Sequence, residues 1–437
     1  MVTEIHNAAE QLLDEWAGLS RTERIRRFHE LPHDLEDDFF LELSPQNQVE
    51  LLLLLPEGER RIWLRLLAPD DAVDLVQEAP EESRREFIDA LDDSTRREVE
   101  ALLAYKEDVA GGLMSPRYAR LRPDSTVDEA IRYLRQQVGH VETIYYAYAI
   151  DDEQRLAGVV SLRELLAADG GKHVRDVMKN DFVTVLEHTD QEKVARMLTE
   201  HHILAIPVVD AERHMKGVIT VDDIVDVVRE EDSEDIQKMG GMEALDRPYL
   251  ETGFVAMVRK RAGWLVILFL GEMLTATAMS HFEDEIARAV VLALFIPLLI
   301  SSGGNSGSQA TTLVIRAMAL GEVKLRDWWR VAHRELFAGL TLGCILGSVG
   351  LARILIWQAV SPTYGEHYLL VALTITLSLI GVVTFGTLAG SMLPFILRKC
   401  GLDPASASAP FVATLVDVTG LVIYFTVAKV VLTGTLL

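Results

Sequence analysis

The chemistry of this sequence rests on carboxylates. Asp417 stands inside an apolar run from about Pro410 to Leu432, in the stretch Thr414–Leu415–Val416–Asp417–Val418–Thr419–Gly420. An ionised carboxylate at the centre of a membrane-spanning helix costs roughly 2.5–3.5 kcal/mol on insertion scales, so such a residue faces protein or water and marks an ion or proton path. A buried Asp neutralised by a proton or by one structural partner is the competing reading. A second acidic set lies far upstream. Asp70 and Asp74 are four apart and share a helix face, where they can also serve as caps or dipole partners at a helix start. Asp190, Glu192, Asp223 and Asp226 precede a densely acidic run, Arg229 to Asp235, in which Glu231, Glu234 and Asp235 fall on one helical face. Hard divalent cations take oxygen ligands, so these clusters suit Mg2+ or Ca2+ and not zinc. A solvated acidic linker helix is the plainer alternative.

The elements that must position these groups are of two kinds. The 437 residues carry a net charge of −24, but unevenly. Residues 259–437 hold 13 Lys and Arg against 10 Asp and Glu, which leaves 29 basic and 56 acidic residues, or −27, in residues 1–258. That acidic part repels nucleic acid and anionic lipid and attracts cations. The C-terminal part holds five apolar segments, about Ala262–Ser280, Ala289–Leu320, Leu336–Trp357, Tyr368–Leu397 and Pro404–Leu432. Each reaches the ~20 residues that span a hydrocarbon core. Arg259, Lys260 and Arg261 precede the first; Lys324, Arg326, Arg330 and Arg334 lie between the second and third; Arg398 and Lys399 lie between the fourth and fifth. The alternate loops, Phe282–Ile286 and Gln358–His367, have no Lys or Arg. This pattern places the N-terminus inside and the C-terminus outside a cell membrane. Met1 to Leu19 has no apolar core of a secretory signal, which keeps the acidic part in the cytoplasm. The two cysteines, Cys344 and Cys400, give no disulfide framework or thiolate metal site. The second apolar segment is interrupted by Pro297 and by Ser301–Ser302–Gly303–Gly304–Asn305–Ser306–Gly307–Ser308–Gln309. Irregular backbone at membrane depth must be buried in protein or line water; a small-residue packing seam is the alternative.

Residues 1–105 read as short leucine-rich helices separated by Pro-containing breaks, a small superhelical domain. Residues 113–170 and 175–230 repeat a unit of about 60 residues with strands alternating with helices. These features resemble a tandem pair of cystathionine-β-synthase (CBS) domains. Gly217, Thr220 and Asp223 are similar to the CBS ribose-phosphate motif; the first copy has Ser161 and Glu164 there. If a nucleotide binds copy one, Tyr146 offers an aromatic face and Arg163 a phosphate partner, with ATP as the candidate.

Together, Gly303–Gly304–Asn305–Ser306–Gly307, Asp417–Val418–Thr419–Gly420, five spans, the CBS pair and the helical N-terminal domain resemble the MgtE family of magnesium channels. The resemblance implies a multidomain chain: an all-α superhelical domain at 1–110, α/β CBS domains at 111–170 and 171–230, a connecting plug helix at 231–258, and an α-helical transmembrane pore domain at 259–437. It implies a homodimer in the lipid bilayer, with Mg2+ as cargo and as regulator. Asp417 from both subunits would be the pore carboxylate, with the backbone near Ala413 and the polar stretch at Gly304 and Asn305 completing the path. Asp70, Asp74, Asp190, Glu192, Asp223, Asp226, Glu231, Glu234 and Asp235 would form the cytosolic sensor. Transport of another divalent cation such as Co2+, or coupled export, competes with this reading. The spans contain no nucleophile–base pair, metal-hydrolase motif or phosphate loop, which disfavours an enzyme.

Overall fold

Proline sets the rhythm of the N-terminal helices. The computed structural model describes residues 9–436 apart from 14, 17, 251, 362 and 363. Residues 1–8, 14 and 17 of the Met1–Leu19 stretch, and two residues of the Gln358–His367 loop, therefore lie outside the described residues. The chain divides into two units, Met1–Glu231 and Asp232–Leu437. The first unit begins with short helices that include Arg21–His29, His33–Glu42, Pro45–Leu54, Glu57–Leu64, Pro69–Glu78, Glu81–Ala90 and Asp93–Leu102. Pro32, Pro56 and Pro80 stand at N-caps, and Pro45 and Pro69 at first helical positions. There the missing N–H costs nothing and the fixed φ suits the helix start. Trp16, Phe28, Phe39, Phe40 and Trp63 fill the core, with ring centroids 5.0–5.9 Å apart.

The two repeats each form a three-stranded sheet. Tyr146–Ile150 pairs in parallel with Arg120–Leu121 and antiparallel with Leu156–Ser161. Ala205–Val209 does the same with Val185–Leu186 and Met215–Thr220. Each copy's entry segment pairs with the other copy's last strand. Ser115 and Val218 exchange backbone hydrogen bonds of 2.8 and 2.9 Å, and Val159 and Lys179 exchange bonds of 3.0 and 2.8 Å. The helical domain's core continues into the second copy through Val194, Leu198, Ile206 and Ile224. Tyr105 reinforces this by donating to Glu187 at 2.7 Å.

Helix Val221–Met239 runs out of the second repeat. The acidic run is thus the continuation of the last CBS helix, not a separate element, and the described residues among 240–253 lack regular helix. Five helices long and apolar enough to cross a membrane follow among the described residues: Phe254–His281, Val290–Ala319, Leu325–Val360, Tyr368–Lys399 and Ala409–Leu432. The expected interruption of the second falls elsewhere. The break lies at Leu294–Phe295, and Ile296–Ala319 is one helix straight through the Ser/Gly stretch. The hydroxyl of Tyr424 donates to the carbonyl of Leu292 at 2.8 Å, satisfying an acceptor beside that break. Glycines are tolerated here because they let the fourth and fifth helices approach. A Cβ at Gly307 would stand 2.7 Å from a Val412 methyl and 2.9 Å from the Gly386 carbonyl. The third helix uses Gly339, Gly343 and Gly347, four apart, against Thr384, Ile380 and Thr376 of the fourth.

Candidate functional site

In the membrane unit, the second and fifth helices meet in register. Ser308 donates to the Ala409 carbonyl at 3.3 Å. A Cβ at Gly304 would touch Ala413 at 3.5 Å. Ala409, Ala413 and Asp417 are successive rungs four residues apart, so Asp417 stands about 6 Å beyond the Gly304–Ala413 crossing. Asn305 is exposed, and its amide lies 3.5 Å from the Ser301 hydroxyl. Ser301, Asn305, Ser308 and Thr312 therefore make a polar stripe beside the seam, along which Ala413 and Asp417 lie on the fifth helix. The small residues of this stretch serve both readings: packing on one face, polar oxygens on the other. Ser306, on the packing face, bonds Thr387 of the fourth helix at 2.8 Å. In the short connection between the first and second spans, Glu285 accepts from Lys429 at 3.0 Å.

In the first unit, helix Pro69–Glu78 and the start of helix Val221–Met239 contribute to one hydrophobic core through Val73 and Ile224, and their carboxylates act on one another. Asp70 is 8% exposed, and its Oδ1 is buried with no hydrogen-bond partner among the described residues. Burial first, then Glu142, Asp71 and Asp223, push its carboxyl well above the ordinary range. Asp71 is raised to about 6 by burial and by Asp223 and Asp222. Asp74 is raised to about 8 by burial and by Asp71, Asp223, Glu230 and Glu107. Asp223 is raised to about 6 by burial, although Thr220 donates to it and lowers it, with Asp222 and Glu142 opposing. Burial, then Asp226, Glu231, Glu78 and Glu107, raise Glu230. Asp71, Asp74 and Glu230 remain reachable by solvent, so this is an open cleft walled by protein. Asp70 and Asp71 feel Asp223, with Glu142 acting on Asp70 and Asp222 on Asp71; Asp74 feels Asp71, Asp223, Glu230 and Glu107, and Glu230 feels Glu78, Glu107 and Asp226. An all-oxygen set with an orphaned buried carboxylate oxygen fits Mg2+ by donor chemistry.

The remaining expected ligands are distributed differently. Asp190 caps helix Gln191–His201, accepting from the Glu192 backbone at 3.1 Å. Its side chain lines a surface concavity with Glu187, Asp210 and Glu212, where Lys193 and Lys216 also stand. Glu231 accepts from Gln191 at 2.6 Å, and Asp226 pairs with Arg229 at 3.3 Å. In the membrane unit, Glu234 pairs with Lys238, which also holds Asp403 at 2.6 Å. Asp232 pairs with Arg316 at 3.1 Å, and Asp235 is half-buried on the same turn as Glu234. The end of the acidic helix is thereby fixed to the second membrane helix and to the loop before the fifth.

The nucleotide motif residues have a local role. Thr220 donates to Asp223 at 2.7 Å from its hydroxyl and at 3.1 Å from its backbone. Ser161 and Glu164 form the equivalent capping box, and Glu164 also holds Lys179 at 2.8 Å. Tyr146 is half-buried between the copies with Val159 and Phe182, and Arg163 is exposed.

Several cleft residues escape a reading of sequence alone. Glu78 and Glu230 carry a signal, because Asp70, Asp74 and Glu78, like Asp222, Asp226 and Glu230, recur every four residues. Glu107 and Glu142 carry none: they reach the cleft from a linker and from the first CBS copy.

Comparisons with known proteins follow this division. A profile described as divalent cation transporter matches residues 296–427, one described as MgtE intracellular N domain matches 8–108, and the CBS domain profile matches 108–171 and 174–230. The chain is 41% identical to "Magnesium transporter MgtE" of Thermus thermophilus over 99% of its own length and 94% of that protein. It is 31% identical to the protein of that name from Bacillus subtilis, over 93% and 88%. A crystal structure titled as the cytosolic domain of the Mg2+ channel MgtE in complex with ATP is similar at 40% identity and TM-score 0.48, over 50% of this chain and 90% of that one.

Proposed function

Because the chain belongs to the MgtE family, we infer that it carries Mg2+ across the cell membrane through a pore lined by Asp417, under the control of Mg2+ bound in the acidic cleft. The observation that carries this reading is the seam at Gly304 and Ala413. It sets a polar stripe and an intramembrane carboxylate along one helix crossing. Mg2+ dehydrates reluctantly and keeps several waters. Two Asp417 carboxylates related by the two-fold axis of a homodimer would bind the ion through its water shell, with the Ala413 backbone and Asn305 as neutral oxygens. Selectivity then comes from charge, spacing and polar oxygens. The basic loops before the first span and after the second and fourth orient the chain with its N-terminus inside.

Regulation follows from the cleft. At low Mg2+ its carboxylates repel one another. At high Mg2+ the ion bridges Asp70, Asp71 and Asp74 to Asp223 and its neighbours and holds helix Val221–Met239, whose far end carries Glu234 and Lys238. Binding shifts the equilibrium only by its preference for the bridged state. Purified protein in liposomes tests the reading. Asp417→Ala abolishes Mg2+ uptake while the dimer stays folded by size-exclusion chromatography; wild-type flux from that variant removes the assignment. The same liposomes, with Co2+ competing and with or without a membrane potential or proton gradient, separate a Mg2+ channel from a coupled exporter.

A further inference from the structure

Glu272 lies on the first membrane helix, where that helix crosses the fifth. Gly271 marks the crossing: a Cβ there would stand 2.9 Å from the Thr414 methyl. The Glu272 carboxyl is within hydrogen-bonding reach of Asp417. One turn further, Thr275 is 9% exposed, and its hydroxyl has no hydrogen-bond partner among the described residues. Positions 271, 272 and 275 share one side of the helix. Two carboxyls this close repel when both are ionised; one proton shared between them relieves that, and a passing hydrated divalent ion, held through its waters, can take the proton's place.

We propose that Glu272 is a second acidic group of the permeation path, holding the water shell of the passing cation together with Asp417 and setting the preference for divalent over monovalent ions. This rests on Asp417 lining the pore. Doubling the local negative charge strengthens attraction for a divalent ion more than for a monovalent one, because the Coulomb term scales with the ion's charge. It also gives the first helix, otherwise an apolar span, a part in transport.

The test uses the full chain in liposomes, with Mg2+ uptake and Na+ leak as readouts. Glu272→Gln raises the half-saturating Mg2+ concentration on the order of tenfold and admits Na+. Glu272→Asp, which keeps the charge on a shorter stem, restores most of both. Wild-type behaviour of Glu272→Gln beside a dead Asp417→Ala overturns the proposal and leaves the pore reading standing. Wild-type flux of Asp417→Ala overturns the pore reading itself. Equal damage from the Gln and Asp variants assigns Glu272 a structural fit and also overturns the proposal. Should the Gln variant fail to assemble, Glu272→Ser carries the same readout.

Discussion

Asp74 concentrates the physics of the cleft at the scale of one residue. Burial and four carboxylate neighbours raise it from 3.8 to about 8. The folded chain therefore holds a proton that the unfolded chain has lost between roughly pH 4 and pH 8. Stability from this group is complete at low pH and is lost as pH rises through that window. Mg2+ replaces the missing protons as counter-charge, and at 100 times its Kd it stabilises by about 2.7 kcal/mol. The thermal shift produced by Mg2+ is therefore expected to be larger at pH 8 than at pH 5, read by denaturation of detergent-purified protein. Equal shifts at both pH values would sink the cleft as a Mg2+ site. Asp74→Asn removes one of the repelling charges. It is expected to stabilise the Mg2+-free protein at pH 8 and to shrink the Mg2+ shift. The pattern of acids four apart on each helix is legible in sequence. That the two rows oppose each other is not, because about 150 residues separate them.

Among elements, the second membrane helix teaches most. Three glycines within five residues read as an interruption, since glycine weakens an isolated helix by roughly 1 kcal/mol each relative to Ala. Packing against the fourth and fifth helices overrides that propensity, and the helix continues through Gly303–Gly307. Gly307→Ala is expected to destabilise by roughly 1–3 kcal/mol through overpacking against Gly386 and Val412, with transport reduced; a melting temperature matching wild type would refute the close approach. The acidic helix makes a second case. Its end is tied down by Lys238 to Asp403 and by Asp232 to Arg316. Lys238→Ala is expected to loosen that end and leave more Mg2+ uptake at high internal Mg2+. Inhibition unchanged from wild type would show that these pairs do not hold the closed form.

Over the whole molecule, charge is divided between an acidic N-terminal part at −27 and a nearly balanced membrane part at +3. Once ionised, the carboxylates of helix Pro69–Glu78 and helix Val221–Met239 repel, and on the proposed reading Mg2+ bridges them, so Mg2+ is expected to protect the chain near Glu231 from protease. Cleavage unchanged from zero to millimolar Mg2+ would count against the sensor. Monovalent salt at equal ionic strength is expected to protect far less, because screening weakens repulsion without bridging ligands.

Hydropathy and charge periodicity alone determined the five spans, the duplicated α/β unit, the helical N-terminal domain and the singular position of Asp417. Each is encoded by residues adjacent in the chain or on one helix face. Only the tertiary structure decided that Glu142 and Glu107 join the cleft, that Asp190 caps a helix, and that Glu272 meets Asp417. Those outcomes depend on which faces distant segments bury against one another, and no local pattern specifies that.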